Sequence, residues 1–432
     1  MTIRALGTAL GAVLLAVSGV AAAAPTFTNY TPPAGLGQSA GEPSIGVNPE
    51  TGAVMYIASL ETLKVTFNAS GVASWSNVTG NLTGLMTLDP ILYTDQGTGR
   101  TFAAQLLAAT SAMEYSDDDG ASWVPSTLGV SAGVDHQTLG AGPYPSGGVG
   151  GLLRTTNLTY PNAVYYCAQS IAAGFCMRSD NGGLTFGPSV PAYSLLDCGG
   201  LHGHVKVGGD GTVYLPNKDC LGAQGVAVST NAGASWTVRT VAGTTGSDLD
   251  PAVGVGRDGT LYMGMVNGDG RPMAAVSLNK GQSFSAPVDL GAAVGVRQAV
   301  FPTAIAGDGD RAAIAFLGTS TTGDINSLDF PGVWYAYVAV TYNRGATWET
   351  VNITPNNPVQ REGGICVAGT TCGENRNLLD FIDMTIDAQG RVLVGYADGC
   401  TGSCATSGAV TRAALATIAR QSSGQTLYAA FD

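Results

Sequence analysis

Along the chain, runs such as GAVMYIAS, GRTFAAQL, AVYYCAQ, GTVYLPNK, GTLYMGMV, RAAIAFLG and GRVLVGYAD alternate in polarity and are rich in β-branched or aromatic residues. That pattern predicts strands. Each run follows an earlier pattern and a turn: EPSIGV from Glu42, DPILYT from Asp89, DHQTLG from Asp135, HGHVKV from His202, DPAVGV from Asp250, FPTAIA from Phe301 and DFIDMTI from Asp380. The chain therefore reads as seven copies of one β-rich unit.

A second pattern lies between the units. SDDDGASW at 116–123, SDNGGLTF at 179–186, STNAGASW at 229–236, SLNKGQSF at 277–284 and TYNRGATW at 341–348 all read Ser/Thr, any, Asp/Asn, any, Gly, any, Ser/Thr, aromatic. The Asp/Asn side chain folds onto nearby backbone N–H groups, Gly takes the corner with positive φ, and the ring is buried between strands. The separations from Asp89 to Ser116, His202 to Ser229 and Asp250 to Ser277 are equal, so these units share one plan. The first unit has only a degenerate copy at 68–75, and the last has none.

These five segments resemble the Asp box, or BNR repeat, of sialidases and related β-propellers. The resemblance spans most of the chain and implies an all-β, seven-bladed β-propeller with Asp-box hairpins, the alternatives being six or eight blades. It also implies that each box joins the third and fourth strands of a blade on the outer rim, so that Asp118, Asn181, Asn231, Asn279 and Asn343 are structural. Ring closure is expected from the segment 25–30 beside the last C-terminal strand, or from the tail 426–431 alone. The Gly/Pro-rich insertion AGPYPSGGVGG and the Cys-containing stretch 354–377 read as long loops.

Arg4, the apolar run 5–20 and the small residues 21–24 have the layout of a secretory signal peptide, giving a leader at 1–24, one propeller domain at 25–432 and export. No later segment is apolar enough for a membrane span. Eight Cys, all beyond the leader, read as disulfides, the economical pairing being 167 with 176, 198 with 220, 366 with 372 and 400 with 404. A formal net charge of -12 with 12% charged residues argues against a nucleic-acid partner; the resemblance implies a carbohydrate or cell-surface glycan as the partner instead.

In a propeller the first strand of each blade lines the channel, so the leading residues face one funnel. Glu42, Asp89, Asp135, His202, Asp250 and Asp380 would converge there, with Ser44, Gln137, His204 and Thr303 two positions on and Asp383 nearby. The chain has three His, and His136, His202 and His204 all fall at adjacent blade starts. His-x-His on a strand aims two imidazoles to one side, which suits a metal or an acid/base pair; a divalent cation is the cofactor to consider. Packed carboxylates need a cation, a proton or a basic partner, for which Lys218, Arg297 and Arg376 are the substrate-binding candidates.

Sialidases hold a carboxylate with three Arg and use a Tyr–Glu nucleophile with an Asp. The early Arg-Ile-Pro motif is absent and no blade start carries Arg, so no catalytic residue transfers. Three readings follow. One is a sialidase-like glycan hydrolase using two of the funnel carboxylates. Another is a His- or metal-dependent polysaccharide lyase. The third is a non-catalytic glycan- or protein-binding propeller.

Overall fold

The computed structural model describes residues 23–432 except 86–88, 108–109, 127–129, 132–133, 157–158, 171 and 362; the expected leader thus falls almost wholly outside the described residues. Seven antiparallel sheets follow one another, six of four strands and one of five. The innermost strands are Ser44–Val47, Pro90–Thr94, Val134–Gly142, Lys206–Val207, Ala252–Val255, Gln298–Ala306 and Asp383–Ile386, one per blade. Each touches the innermost strand of both neighbours, which closes the seven-bladed propeller. The inner strands come so close that Cβ atoms are excluded in places. At Gly46 one would stand 2.3 Å from Thr94 Oγ1, and at Gly254 one would stand 2.7 Å from the Ile305 carbonyl carbon.

Closure follows the first of the two expected routes. Blade 7 consists of Asp383–Ile386, Val392–Asp398 and Leu415–Ser423, and the N-terminal strand Thr26–Tyr30 pairs antiparallel with the last of these as its outermost strand. The join covers what would otherwise be an open edge, with a row of unpaired backbone groups. Blade 2 has the fifth strand, because both Val124–Pro125 and Val130–Ser131 pair with Thr110–Ser116. The insertion expected as a loop in blade 3 contains a helix, Gly148–Thr156.

The five hairpins at 116–123, 179–186, 229–236, 277–284 and 341–348 share one hydrogen-bond plan. In the second blade Ser116 Oγ donates to Asp118 Oδ1 and accepts from Gly120 N–H, while Asp118 Oδ1 accepts from Ser122 N–H, each at 2.8 Å. The others repeat it. The left-handed corner is two residues wide: Asp119, Ala232, Lys280 and Arg344 adopt φ of 54°, 58°, 59° and 59° ahead of the Gly. The box tryptophans are half-buried rather than wholly buried, because they lean on the preceding blade. Trp123 Nε1 donates to Val78 O at 2.7 Å, and Trp348 stands edge-on to Tyr262 at 6.3 Å. Asn231→Ala removes the acceptor of Ser235 N–H and Ser229 Oγ–H. The expected cost is about 1–2 kcal/mol in urea unfolding, with no effect on ligand binding at the channel.

All four disulfides form as the local pairing anticipates: Cys167–Cys176, Cys198–Cys220, Cys366–Cys372 and Cys400–Cys404. They fit an extracellular protein. Among the described residues no helix is long and apolar enough to cross a membrane.

Candidate functional site

The blade starts meet at one end of the channel, and their backbone is bent to do so. Glu42, His136 and Phe301 hold left-handed φ of 54°, 55° and 57°, a conformation costly for residues with a Cβ. Bulges lie between Asp135 and Thr138 and between Val300 and Thr303. A bulge re-aims a side chain. In blade 3 the result is that His136 reaches Asp250 of blade 5.

On one side of the ring lie carboxyl groups. Arg376 grips Asp380 with both Nη atoms, Nη2 to Oδ2 at 2.8 Å, and lies 3.8 Å from Glu42 Oε1. Burial holds the Glu42 carboxyl well above its ordinary range, and the neighbouring Asp89 and Asp380, the latter also through a side-chain hydrogen bond, push it the same way; Arg376 offsets only part. Glu42 is thus the ring carboxyl most disposed to hold a proton, and it faces Asp380 through a side-chain hydrogen bond. Asp89 is pushed up to about 6 by burial, with Asp135 and Asp380 adding to the shift and His136 and the Gln137 N–H opposing it. That N–H donates to Asp89 Oδ2 at 2.9 Å. Asp135 is exposed, Asp380 partly so, and Glu42 and Asp89 lie beneath.

On the other side lies an ionised carboxylate. Asp250 receives His136 Nε2 on Oδ2 at 3.2 Å and Lys218 Nζ on Oδ1 at 3.3 Å. Burial works against its charge, but Lys218, His136 and His202 outweigh it and hold the carboxyl below its ordinary range. Lys218 also donates to Asp248 O at 2.6 Å.

The two imidazoles of His-x-His part company, because the regular strand begins only at Lys206. His202 turns toward blade 3, its ring 5.4 Å from that of His136 and 6.4 Å from that of Tyr193. Its Nδ1 pairs with Gly203 O at 3.0 Å, and burial lowers its pKa to about 3. His204 instead faces Asp383 at 3.6 Å and packs edge-on against Phe381 at 4.6 Å; burial lowers its pKa, opposed by Asp383. Asp383 itself is held low: burial opposes its charge, but Lys206, His204 and the Ile45 N–H prevail. Among the described residues, His202 Nε2, His204 Nε2 and Asp89 Oδ1 are buried without a hydrogen-bond partner. Buried polar atoms rarely stay unpaired, so this floor has spare capacity for a polar guest.

Beside Lys218 opens a cleft of 880 Å³ between blades 4, 5 and 6, lined by Asp219, Asp248, Leu249, Asn267, Asp269 and Gln298 among others. A separate axial cavity of 480 Å³, to which all seven inner strands contribute, has Lys206 and Asp383 in its wall.

All eight acid/base candidates thus belong to one connected cluster, joined by Lys218 and Arg376. Arg297 does not join: it is exposed just ahead of the inner strand of blade 6 and, among the described residues, makes no ion pair with the ring. The three His do not amount to the expected metal-ligand set. Among the described residues no three His, Cys, Asp or Glu side chains form a group that could hold a metal ion; His136 is turned onto Asp250 and His204 onto Asp383. Sequence reasoning missed Lys206, Phe381, Tyr193 and Asn217. For Lys206 a signal was present, as it continues the i, i+2 series of His202 and His204; Asn217 lies at the end of the GTVYLPNK run beside Lys218, and Tyr193 lies outside the repeats and carries none.

No protein-family model matches the chain, and no curated protein matches it in sequence. Among solved structures it is similar to a protein of unknown function from Dyadobacter fermentans, at 11% identity over 91% of this chain and 97% of that one, with a TM-score of 0.45. It is similar also to the Aleuria aurantia lectin in complex with Fucα1-6GlcNAc, at 11% identity over 73% and 96%, TM-score 0.46. A third is the NanB sialidase from Streptococcus pneumoniae, at 10% identity over 77% and 68%, TM-score 0.43.

Proposed function

We propose that the chain is an exported glycan-processing hydrolase that works by carboxyl acid/base chemistry at the blade-start end of the channel. The arrangement that carries this reading is a split within one ring: Glu42, buried beside Asp380 and Arg376, is pushed above the ordinary carboxyl range, whereas Asp250, gripped by Lys218 and His136, is held below it. Environments that push paired carboxyls apart are the mark of an acid and a base. Glu42, hydrogen-bonded to the more exposed Asp380, is the proton source, and its proton passes through Asp380 to the leaving glycosidic oxygen. Arg376 holds Asp380 in place with both Nη atoms, facing Glu42. Water adds to the sugar carbon as the C–O bond breaks, and Asp250 with His136 takes its proton. Lys218 fixes Asp250 beside the 880 Å³ cleft, which receives the rest of the glycan.

The test is a screen of sialosides, uronic-acid polymers and neutral glycans, with and without a chelator, scoring reducing ends and unsaturated products separately. New reducing ends unaffected by chelation are expected. Unsaturated ends would replace this reading with elimination by His136, and binding without turnover would replace it with a glycan-binding propeller.

A further inference from the structure

The ring and its cleft are short of free cations. Among the described residues Lys218 is the one Lys or Arg in the wall of the 880 Å³ cleft, and it is already shared between Asp250 Oδ1 at 3.3 Å and the Asp248 carbonyl at 2.6 Å. Arg376 is likewise committed, to Asp380 and Glu42. A substrate carboxylate would meet no free positive charge here and would lie among Glu42, Asp89, Asp135, Asp250 and Asp380, which repel it. The cleft wall adds to the negative charge. Asp219, Asp248 and Asp269 line it and are exposed. Asp269 has only a 3.9 Å contact with Arg271, and Asp219 and Asp248 form no ion pair among the described residues. A Cβ at Gly246 would stand 2.4 Å from Asp219 Oδ1, so the glycine keeps room for that carboxylate at the wall.

The unpaired atoms of the ring floor favour the same kind of guest on separate grounds. His202, 0% exposed, turns Nδ1 to the Gly203 carbonyl. A carbonyl only accepts, so Nδ1 carries the proton and the unpaired Nε2 is a lone pair. His204 repeats the arrangement, with Nδ1 facing the Asp383 carboxylate and Nε2 left as the acceptor. Asp89, whose Oδ2 accepts the Gln137 N–H, adds an unpaired Oδ1. These atoms ask for donors. A carboxylate guest has no proton to give them, whereas an ammonium group brings three and no lone pair.

We propose that the guest of this site is a cationic glycan, with free amino groups on its sugars, and that Asp219 and Asp248 receive the ammonium groups of the stretch lying in the cleft. The proposal rests on the catalytic reading for turnover, but the binding it predicts does not.

The test compares a glucosamine oligomer with the same oligomer N-acetylated and N-succinylated, which makes it cationic, neutral and anionic in turn; a galactosamine oligomer treated alike covers the epimer. Reducing ends report turnover, and calorimetric titration into the full chain reports binding. The free amine should bind about tenfold more tightly than the N-acetyl form, the sum of two exposed ion pairs, and the N-succinyl form should not bind. Asp219→Asn and Asp248→Asn should each weaken the affinity for the free amine about three- to fivefold, acting on KM rather than on kcat, and added salt should weaken it in the wild type. Both positions are exposed, so the variants keep the fold. Binding of the amino form without turnover would remove the hydrolase and leave the cationic guest standing. Equal or faster turnover of the N-acetyl or N-succinyl form would overturn the cationic guest and leave the hydrolase standing. No binding by either amino oligomer, or an affinity that both variants leave unchanged, would also overturn it.

Discussion

Glu42→Gln is expected to lower glycan turnover by about 10²–10⁴-fold, the usual worth of a positioned general acid, and to leave the propeller folded. The amide keeps the size of the carboxyl and, like the protonated acid it replaces, carries no charge into a site only 3% exposed. It cannot release a proton to Asp380. The wild-type pH profile should carry the same signature. Because Glu42 is held above the ordinary carboxyl range, activity is present at acidic pH and falls as pH rises through its folded-state value. Asp250, held low, is lost as a base only below the ordinary carboxyl range. Asp250→Asn should also abolish turnover, but it strands Lys218 and His136 beside a neutral amide and so destabilises the fold, which makes Glu42 the cleaner test. Turnover of Glu42→Gln within a factor of three of the wild type, in a variant with unchanged circular dichroism, would remove Glu42 from the chemistry.

The blades were legible because they repeat. Each Ser/Thr-x-Asp/Asn-x-Gly-x-Ser/Thr-aromatic segment fixes a third-to-fourth strand turn by local hydrogen bonds alone, so the five turns form without reference to the rest of the chain. The carboxylates at the blade starts were legible for the same reason. What did not show was how they are aimed. The left-handed turns at Glu42, His136 and Phe301 use residues that ordinarily avoid that conformation, and only packing of seven strands around one axis imposes it. His202 and His204 looked like a pair on one face, yet they diverge because blade 4 has no ladder between the His202–Asn217 bridge and Lys206. In blade 7 the strand begins at Asp383, three residues after the leading Asp380, and this offset puts Phe381 between the imidazoles of His136 and His204. Arg376 was one of several basic candidates, and what singles it out is its place four residues from Asp380 in the disulfide-bearing connection. Arg297 has no such partner among the described residues.

The buried imidazole of His202 should make its mark on stability as pH falls. Its folded-state pKa is about 3, against about 6.5 in an unfolded chain. Below 6.5 the unfolded chain takes up a proton that the folded protein refuses. Stability from this group is therefore intact above 6.5 and lost as pH falls toward 3. Two carboxyls run the other way. Asp89 and Asp398, with folded values of about 6 and about 7, keep protons that the unfolded chain has released, so their contribution is fully present below the unfolded carboxyl range and is lost as pH rises through those values. In the wild type the opposed trends partly cancel and hide the histidine. The difference between His202→Asn and the wild type isolates it, since every other group is common to both. Asn retains an amide where Nδ1 meets Gly203 O and does not titrate. Measured by urea unfolding, the variant should gain on the wild type by about 3 kcal/mol between pH 7 and pH 4, at about 1.36 kcal/mol per pKa unit over the 2.5 or so units traversed. Asp89→Asn should drift the opposite way over the same range, losing ground as pH falls. A His202→Asn difference that stays flat with pH would mean that the imidazole takes a proton in the folded state, and that the seam between blades 3 and 4 admits charge at its centre.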